Sequence, residues 1–346
     1  MKRSFMFICA AALLLTGCGA SADEASAQLF AMDTVMQLDA YGHQVKQAVS
    51  DAEETIQALE ARLSRTREDS LVSVLNQNGA AQDLSAAEQA LLSEALTFRD
   101  ATGGAFDITI APVMDAWGFT GDSYRVPAQD ELDALLENVN SDEIRLSGNS
   151  VTLGAGQAID LGGIAKGYTS DCVEAVFREN KIESGKISLG GNVFVLGGKP
   201  DGADWRVGIR DPQDENALAA VLTLRDAYAI TSGGYERYFT ENGNTYHHII
   251  DPSTGYPADS GLLSVTVVAE ANGPDFSGPG NGTMCDAFST ALFVMGEERA
   301  LEFWRTGGYD FDLVLVTADG RVIITDGLSD RFEAVKDSGY TYETVS

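Results

Sequence analysis

The pattern of apolar residues changes character near Lys186, and that change limits the fold more than any other feature of the chain. Before it the sequence reads mainly as helices. Residues 44–63 place Val45, Val49, Ala52, Ile56, Leu59 and Leu63 three or four apart, which predicts an amphipathic helix. Ser85-Ala-Ala-Glu88 is a capping box that opens a second helix to about Asp100, stopped before Gly103-Gly104. A shorter helix follows Pro127, and 143–146 with 151–153 predict a hairpin about Ser147-Gly-Asn-Ser150. Beyond Lys186, short β-prone runs at 186–196, 205–209, 219–224 and 262–269 alternate with Gly-rich turns. Two more hairpins turn at Glu241-Asn-Gly-Asn244 and Asp319-Gly320, joining 235–240 to 245–250 and 313–316 to 322–325. Helices at 165–179 and 285–305 interrupt this half. The fold class is therefore mixed α/β (α+β), with helices and mostly antiparallel strands interspersed and no regular βαβ repeat. No G-x-G-x-x-G or Walker pattern is present, which argues against a Rossmann or P-loop nucleotide site.

The start of the chain predicts export. Lys2 and Arg3 precede an apolar run, 5–15, of signal-peptide length and too short to span a bilayer. Leu15-Thr16-Gly17-Cys18 has the lipobox form, in which the cysteine takes a lipid and becomes the mature N-terminus. The competing reading is an ordinary signal with a chance cysteine. Residues 1–17 are then the lipoprotein signal and 18–28 a flexible, Ala/Ser-rich tether. A lipid on Cys18 anchors the protein to the outer face of the cytoplasmic membrane, or on the periplasmic side. Later segments lack the length and apolarity of a membrane-spanning helix. Of the remaining cysteines, Cys172 and Cys285 are free to pair in an oxidising compartment, but spacing alone does not bring them together. No Cys/His cluster suggests zinc.

Composition matters here through charge. The net charge is −29, and removal of Lys2 and Arg3 makes the mature chain more acidic still. Such a chain does not suit nucleic acid, whose phosphates need Lys and Arg. It also disfavours any anionic ligand unless a metal or local dipoles reverse the field.

Four segments hold more Gly, Asp and Thr than packing requires. Asp160-Leu-Gly-Gly-Ile-Ala-Lys-Gly-Tyr168 sets a carboxylate, paired glycines and Lys166 before a helix, an arrangement that suits an anion and equally a strand-turn-helix corner with a surface lysine. In Cys285-Asp-Ala-Phe-Ser-Thr-Ala291, Asp286 and Thr290 lie four apart on one helix side beside Ser289, hard oxygen donors that suit Mg²⁺. The alternative is an N-capping Asp286 with Thr290 packed inward. His248-Ile-Ile-Asp-Pro-Ser-Thr-Gly-Tyr-Pro257 carries one of three histidines next to a turn, where a structural role competes with a chemical one. In Gly104-Ala-Phe-Asp107, Phe106 suits a core and Asp107 a turn cap.

Together these segments closely resemble the ApbE family of FAD:protein FMN transferases. The match adds Met32-Asp-Thr34, Ser188-Leu-Gly-Gly-Asn192 and Thr231-Ser-Gly-Gly234, all in the family's order from about Phe30 to Thr325. Each motif alone is weak; the ordered set is specific. The resemblance implies one compact flavin-transferase domain, 29–340, with FAD in a cleft touched by Met32, Ala105, Phe106, Asp107, Asp160, Lys166 and Ile250. It implies Mg²⁺ held by Asp286, Thr290 and the Gly163 carbonyl, with Ser289 where some members supply another ligand, and His248 as the histidine of transfer. The implied partner is a flavoprotein with a D-x-x-[ST]-G-A-[ST]-type segment, which receives FMN on Thr or Ser as AMP leaves. The rival readings are an FAD pyrophosphatase, with water as nucleophile, and a flavin-binding lipoprotein without chemistry. Three departures stand out: Arg65-Thr66-Arg67 where many members have an aromatic residue, Cys285 in place of a small residue, and a long loop at 272–283 that is a candidate for altering access to the metal.

Overall fold

The computed structural model describes residues 23–121, 123–274 and 276–346. The predicted signal and Cys18 lie outside them. The described chain begins with the hairpin β1 (Glu24–Ala31) and β2 (Thr34–Tyr41), then α1 (Val45–Leu63), α2 (Leu71–Asn78), β3 (Ala80–Ala81), α3 (Ala86–Ala101), α4 (Ala111–Trp117) and α5 (Gln129–Leu136). The hairpin β4 (Arg145–Ser147) and β5 (Ser150–Thr152) leads to α6 (Ala165–Glu179). Strands β6 (Ser184–Leu189), β7 (Asn192–Leu196), β8 (Trp205–Asp211), β9 (Asp214–Leu224), β10 (Ala227–Gly233), β11 (Tyr238–Glu241), β12 (Asn244–His247) and β13 (Leu262–Glu270) follow. The chain ends with α7 (Asn281–Thr306), β14 (Asp312–Thr317), β15 (Arg321–Thr325), β16 (Phe332–Ala334) and β17 (Thr341–Val345).

Nine strands form one sheet in the order β1-β2-β6-β7-β10-β13-β14-β15-β17, antiparallel throughout except for the final parallel pair. Successive side chains on a strand point to opposite faces. Ile230, Val265, Val267, Leu313, Leu315 and Ile323 therefore meet the helices, packing with Ile56, Phe177, Phe288 and Leu292. Their neighbours Ala229, Val268, Val314, Val316 and Ile324 meet Trp205, Ile209 and Leu222 on the small sheet of β16, β9 and β8. A strand buried on both faces has no polar side to show, which is why 262–269 and 313–316 read as near-continuous apolar runs. A third, smaller cluster joins α4 and α5 to Phe119 and Ile250.

The helices α6 and α7 cross closely. A Cβ at Gly167 would meet the Gly282 carbonyl oxygen and come within 2.6 Å of the Asp286 Cβ. The first N–H groups of a helix have no partner inside it, and here α6 supplies one. Buried Asp171 accepts from the N–H groups of Gly280 (2.9 Å), Gly282 (2.8 Å) and Thr283 (2.8 Å), from the Thr283 hydroxyl (2.5 Å) and from Asn272 Nδ2 (2.7 Å). Glu174, one turn on, accepts from the Tyr228 hydroxyl (2.5 Å) and Asn272 Nδ2 (2.9 Å). Burial pushes both carboxyls up, and the Thr283 and Tyr228 hydroxyls lead the opposing pull.

Several expectations are corrected. Residues 24–28 belong to β1 rather than to a tether; its Ala, Ser and Gln lack the bulk that marks a strand, and pairing with β2 makes it one. The ordered unit runs past 340 through β17, whose pairing partner β15 is not its sequence neighbour. The run 186–196 is two strands turned at Gly190-Gly191. The last long helix begins at Asn281, and Cys172 and Cys285 are both free thiols. No helix among the described residues is long and apolar enough to cross a membrane.

The Asp171 bond set yields a test. Asp171→Ala is expected to cost on the order of 3 kcal/mol in urea unfolding, because it strands buried donors. Ser85→Ala, at the more open cap of α3, is expected to cost about 1 kcal/mol. Equal costs would show that the buried carboxylate does not secure the start of α7.

Candidate active site

One large cleft opens where the amino end of α6, the second turn of α7, the end of β10 and the β1–β2 turn meet. Met32, Ala105, Phe106, Asp107, Asp160, Gly163, Lys166, His248, Ile250, Asp286 and Thr290 all line it. Ser289 does not. Its hydroxyl donates to the Asp286 carbonyl (2.9 Å) and meets Ser232 (2.8 Å), which lines the cleft in its place and also lies 3.2 Å from the Thr290 hydroxyl. Ser232 sits in the Thr231-Ser-Gly-Gly234 motif, but a serine in a β-run carries no signal of its own.

Because α7 starts at Asn281, Asp286 is inside the helix and is not its cap. Its carboxylate, nearly inaccessible, accepts from the Gly167 N–H (2.8 Å) and from Asn192 Nδ2 (3.0 Å). Lys166 Nζ stands 3.8 Å away and donates to the Gly162 carbonyl (3.3 Å). The Asn192 side-chain oxygen, Oδ1, is buried and has no hydrogen-bond partner. Gly163 lies against Thr290: a Cβ there would be 3.4 Å from the Thr290 hydroxyl oxygen. The Asp286 carboxylate and the Thr290 and Ser232 hydroxyls offer hard oxygens to the cleft, and the buried Asn192 side-chain oxygen beside the carboxylate is unsatisfied. That set fits Mg²⁺, which takes few protein ligands and keeps water or phosphate oxygens for the rest. The described residues hold no group of three His, Cys, Asp or Glu placed to hold a metal ion, so an ion here would lean on hydroxyl and carbonyl oxygens beside the single carboxylate. The charge count agrees: six carboxylates line the cleft against Arg65, Lys166 and Arg237. An anionic ligand needs an added cation there.

The two adjacent histidines have different surroundings. His247 accepts from the Ile249 N–H at Nδ1 (3.3 Å) and so donates from Nε2 to the Ala258 carbonyl (3.1 Å), leaving no free ring nitrogen. His248 has Nδ1 at 3.2 Å from the Arg237 carbonyl, a contact that requires the proton on Nδ1. Its Nε2 lone pair is then free. Burial first, then Arg237 and Lys166, push its pKa down to about 3. Glu236, which also lines the cleft, is pushed up by burial against the pull of Lys166 and Arg210.

Other predicted residues are partly committed elsewhere. Asp107 caps the turn Ile108–Ile110 and accepts from the Thr109 N–H (2.8 Å) and hydroxyl (2.6 Å) and the Ser141 hydroxyl (2.5 Å), so its backbone is what it offers a ligand. Asp160 accepts from the Gly162 N–H (2.7 Å) and from Arg65 Nη1 (2.8 Å). Arg65 also forks onto Asp115 at 2.8 and 2.9 Å, so a planar guanidinium neutralised by two carboxylates forms part of the cleft wall. The loop 272–283 lines none of the cleft among its described residues; Asn272 and the start of α7 fasten it to α6 instead.

The ApbE family model matches residues 32–312. The FAD:protein FMN transferase of Treponema pallidum is 33% identical over 308 residues, covering 83% of this chain and 82% of that protein. That of Vibrio cholerae serotype O1 is 28% identical, covering 92% and 95%. The crystal structure of the ApbE protein from Thermotoga maritima superposes with a TM-score of 0.78 at 29% identity, covering 91% of this chain and 97% of that one.

The state of His248 carries a stability consequence. As pH falls from about 6.5 towards about 3, the unfolded chain takes up a proton that the folded site refuses, so stability is lost across that window. His248→Gln removes the titration. Its melting temperature is expected to fall less than the wild type's between about pH 7.5 and about pH 5. An equal fall would mean that His248 titrates normally.

Proposed function

Because the chain belongs to the ApbE family, we propose that it is a Mg²⁺-dependent FAD:protein FMN transferase that joins FMN to a Thr or Ser of a partner flavoprotein by a phosphoester bond and releases AMP. The observation that carries this reading is the meeting, in one acidic cleft, of the Asp286–Thr290–Ser232 oxygen cluster, Lys166 and a neutral histidine with a free Nε2.

The acceptor hydroxyl oxygen bonds to the FMN-side phosphorus of FAD, and the bond from that phosphorus to the bridging oxygen breaks, so that the oxygen leaves on AMP. The hydroxyl proton goes to His248 Nε2. Burial first, and after it Arg237 and Lys166, hold the imidazole against protonation. A bound diphosphate would offset those two cations and so ease the smaller part of that hold, leaving His248 a better base than in the free protein. Lys166 and Arg237 would thus hold the diphosphate and also act on the base through the same charges. Asp286, Thr290 and the Gly163 carbonyl would hold Mg²⁺, which when bound supplies Lewis-acid stabilisation of the charge on the pyrophosphate. Met32, Ala105, Phe106 and Ile250 offer apolar wall to the rings of FAD. Export and anchoring through Cys18 belong to the same proposal: a lipid there, at roughly 0.8 kcal/mol per buried CH₂, would tie β1 to a membrane surface.

One incubation tests the reading. The full chain is mixed with FAD, Mg²⁺ and an acceptor carrying a D-x-x-[ST]-G-A-[ST]-type segment. Flavin fluorescence on the denatured acceptor band, with AMP released, is the expected result; free FMN and AMP alone would make the protein a pyrophosphatase. His248→Ala is expected to slow transfer by roughly 10²–10⁴-fold with little change in FAD affinity, and a full rate would remove it as the base. Asp286→Ala is expected to abolish Mg²⁺-dependent turnover; activity that survives both this change and chelation would refute the metal assignment.

A further inference from the structure

The turn between β1 and β2 is held in a form that its residues do not favour. Ala31 pairs with Thr34, so Met32 and Asp33 alone make the turn. Met32 has φ 49° and Asp33 has φ 58°. A two-residue hairpin turn with left-handed backbone at both positions is the form that Asn-Gly supplies at least cost. Left-handed backbone is uncommon outside glycine, and a long side chain such as that of Met gains nothing from it. Such a conformation persists where the surroundings over-determine it, and it gathers at ligand sites. Met32, Asp33 and Thr34 all line the cleft.

Three braces converge on this turn. The Met32 N–H donates to Glu60 Oε1 on α1 (3.2 Å). The Met32 sulfur lies 3.6 Å from the Thr169 hydroxyl, on the same helix α6 that carries Lys166. Thr34 fits against Gly190 in the β6–β7 turn, where a Cβ would strike its side chain. Of the three, only Glu60 is out of place electrostatically. It is one of the six carboxylates that line the cleft, and a negative charge there works against an anionic ligand. Arg62, two residues further along α1, does not offset it, because Arg62 pairs with Glu88 (2.6 Å). The hydrogen bond to the turn gives the Glu60 oxygen a use that its charge does not.

We propose that Glu60 is a positioning residue for the FAD site: by accepting the Met32 N–H it keeps the Met32-Asp33 turn left-handed and fixes the Met32 side chain against α6 as part of the cleft wall. The inference rests on the transferase reading above for the identity of the ligand, and on nothing else from it. Without that acceptor the turn has other backbone states open to it. FAD then binds only the fraction of molecules with Met32 in place, and the apparent affinity falls by that fraction.

The test compares wild type with Glu60→Gln, Glu60→Ala, Asp33→Gly and the double variant Glu60→Ala/Asp33→Gly in the full chain. FAD dissociation constants are measured with Mg²⁺ by equilibrium dialysis. The state of the turn is read without FAD, by NMR of methyl-labelled methionines, with the Met32 signal assigned by its loss in Met32→Leu. Glu60→Gln keeps the acceptor oxygen and drops the charge; its Met32 signal is expected to match that of the wild type and its FAD affinity to be retained or improved. Glu60→Ala is expected to shift or broaden the Met32 signal. It should raise Kd and KM for FAD about tenfold, as when a tenth of the molecules stay competent, with kcat for transfer unchanged at saturating FAD. Glycine at 33 favours the turn by itself. Asp33→Gly is therefore expected to restore affinity in the Glu60→Ala background by more than it improves the wild type. An equal gain in both backgrounds would mean that only the charge of the cleft has changed, and it overturns the proposal. Unchanged or tighter FAD binding in Glu60→Ala, a Met32 signal that ignores the loss of Glu60, or a Glu60→Gln protein that behaves like Glu60→Ala overturns it as well. If the wild type binds no FAD, the transferase reading fails, and the Met32 signal alone decides the role of Glu60.

Discussion

Gly167 on α6 and Gly282 on α7 let two helices cross at a distance that no side chain would permit, and the cleft chemistry depends on that crossing. It brings the N–H of Gly167 onto the Asp286 carboxylate and sets Lys166 beside it, although these residues are more than a hundred positions apart in the chain. Asp171 completes the arrangement by accepting from the first turn of α7, so the rotation of that helix is set by hydrogen bonds as well as by packing. A small turn of α7 about its axis would carry Asp286 away from the Gly167 N–H and Thr290 away from Gly163 together.

Much of this was legible in the sequence because it is local. The helix at 44–63, the capping box at Ser85 and the hairpins at Asn242-Gly243 and Gly320 follow from side-chain period and turn chemistry within a few residues, and the structure has each of them. The ordered motifs also picked out residues that meet at one cleft. What was not legible depends on partners far away in the chain. Nothing in Glu24-Ala-Ser-Ala-Gln-Leu-Phe-Ala31 announces a strand until β2 is placed beside it. The missed role of Ser232 and the diversion of Ser289 depend on how β10 meets α7. Asp107 looked like a ligand or a cap from its motif; only the position of Ser141 shows that its carboxylate is already engaged. The long loop at 272–283 invited a reading about access, whereas Asn272 binds it to the far part of α6.

The acidity of the chain and the ligand proposed for it are compatible because the cleft is arranged in parts. Arg65 is neutralised by Asp115 and Asp160, so it presents a flat surface more than a charge. Lys166 and Arg237 remain near His248. The carboxylate excess leaves room for a dication, and the unsatisfied Asn192 oxygen lies next to the carboxylate that would hold it.

The order of the large sheet has a consequence in time. Strand β2 pairs with β6, which lies well over a hundred residues later, and the far edge is closed only by β17 at the end of the chain. Pairings between distant segments form slowly, because the entropy of closing the intervening loops is spent before any contact repays it. The amino-terminal hairpin therefore has no sheet to join until half the chain has been synthesised.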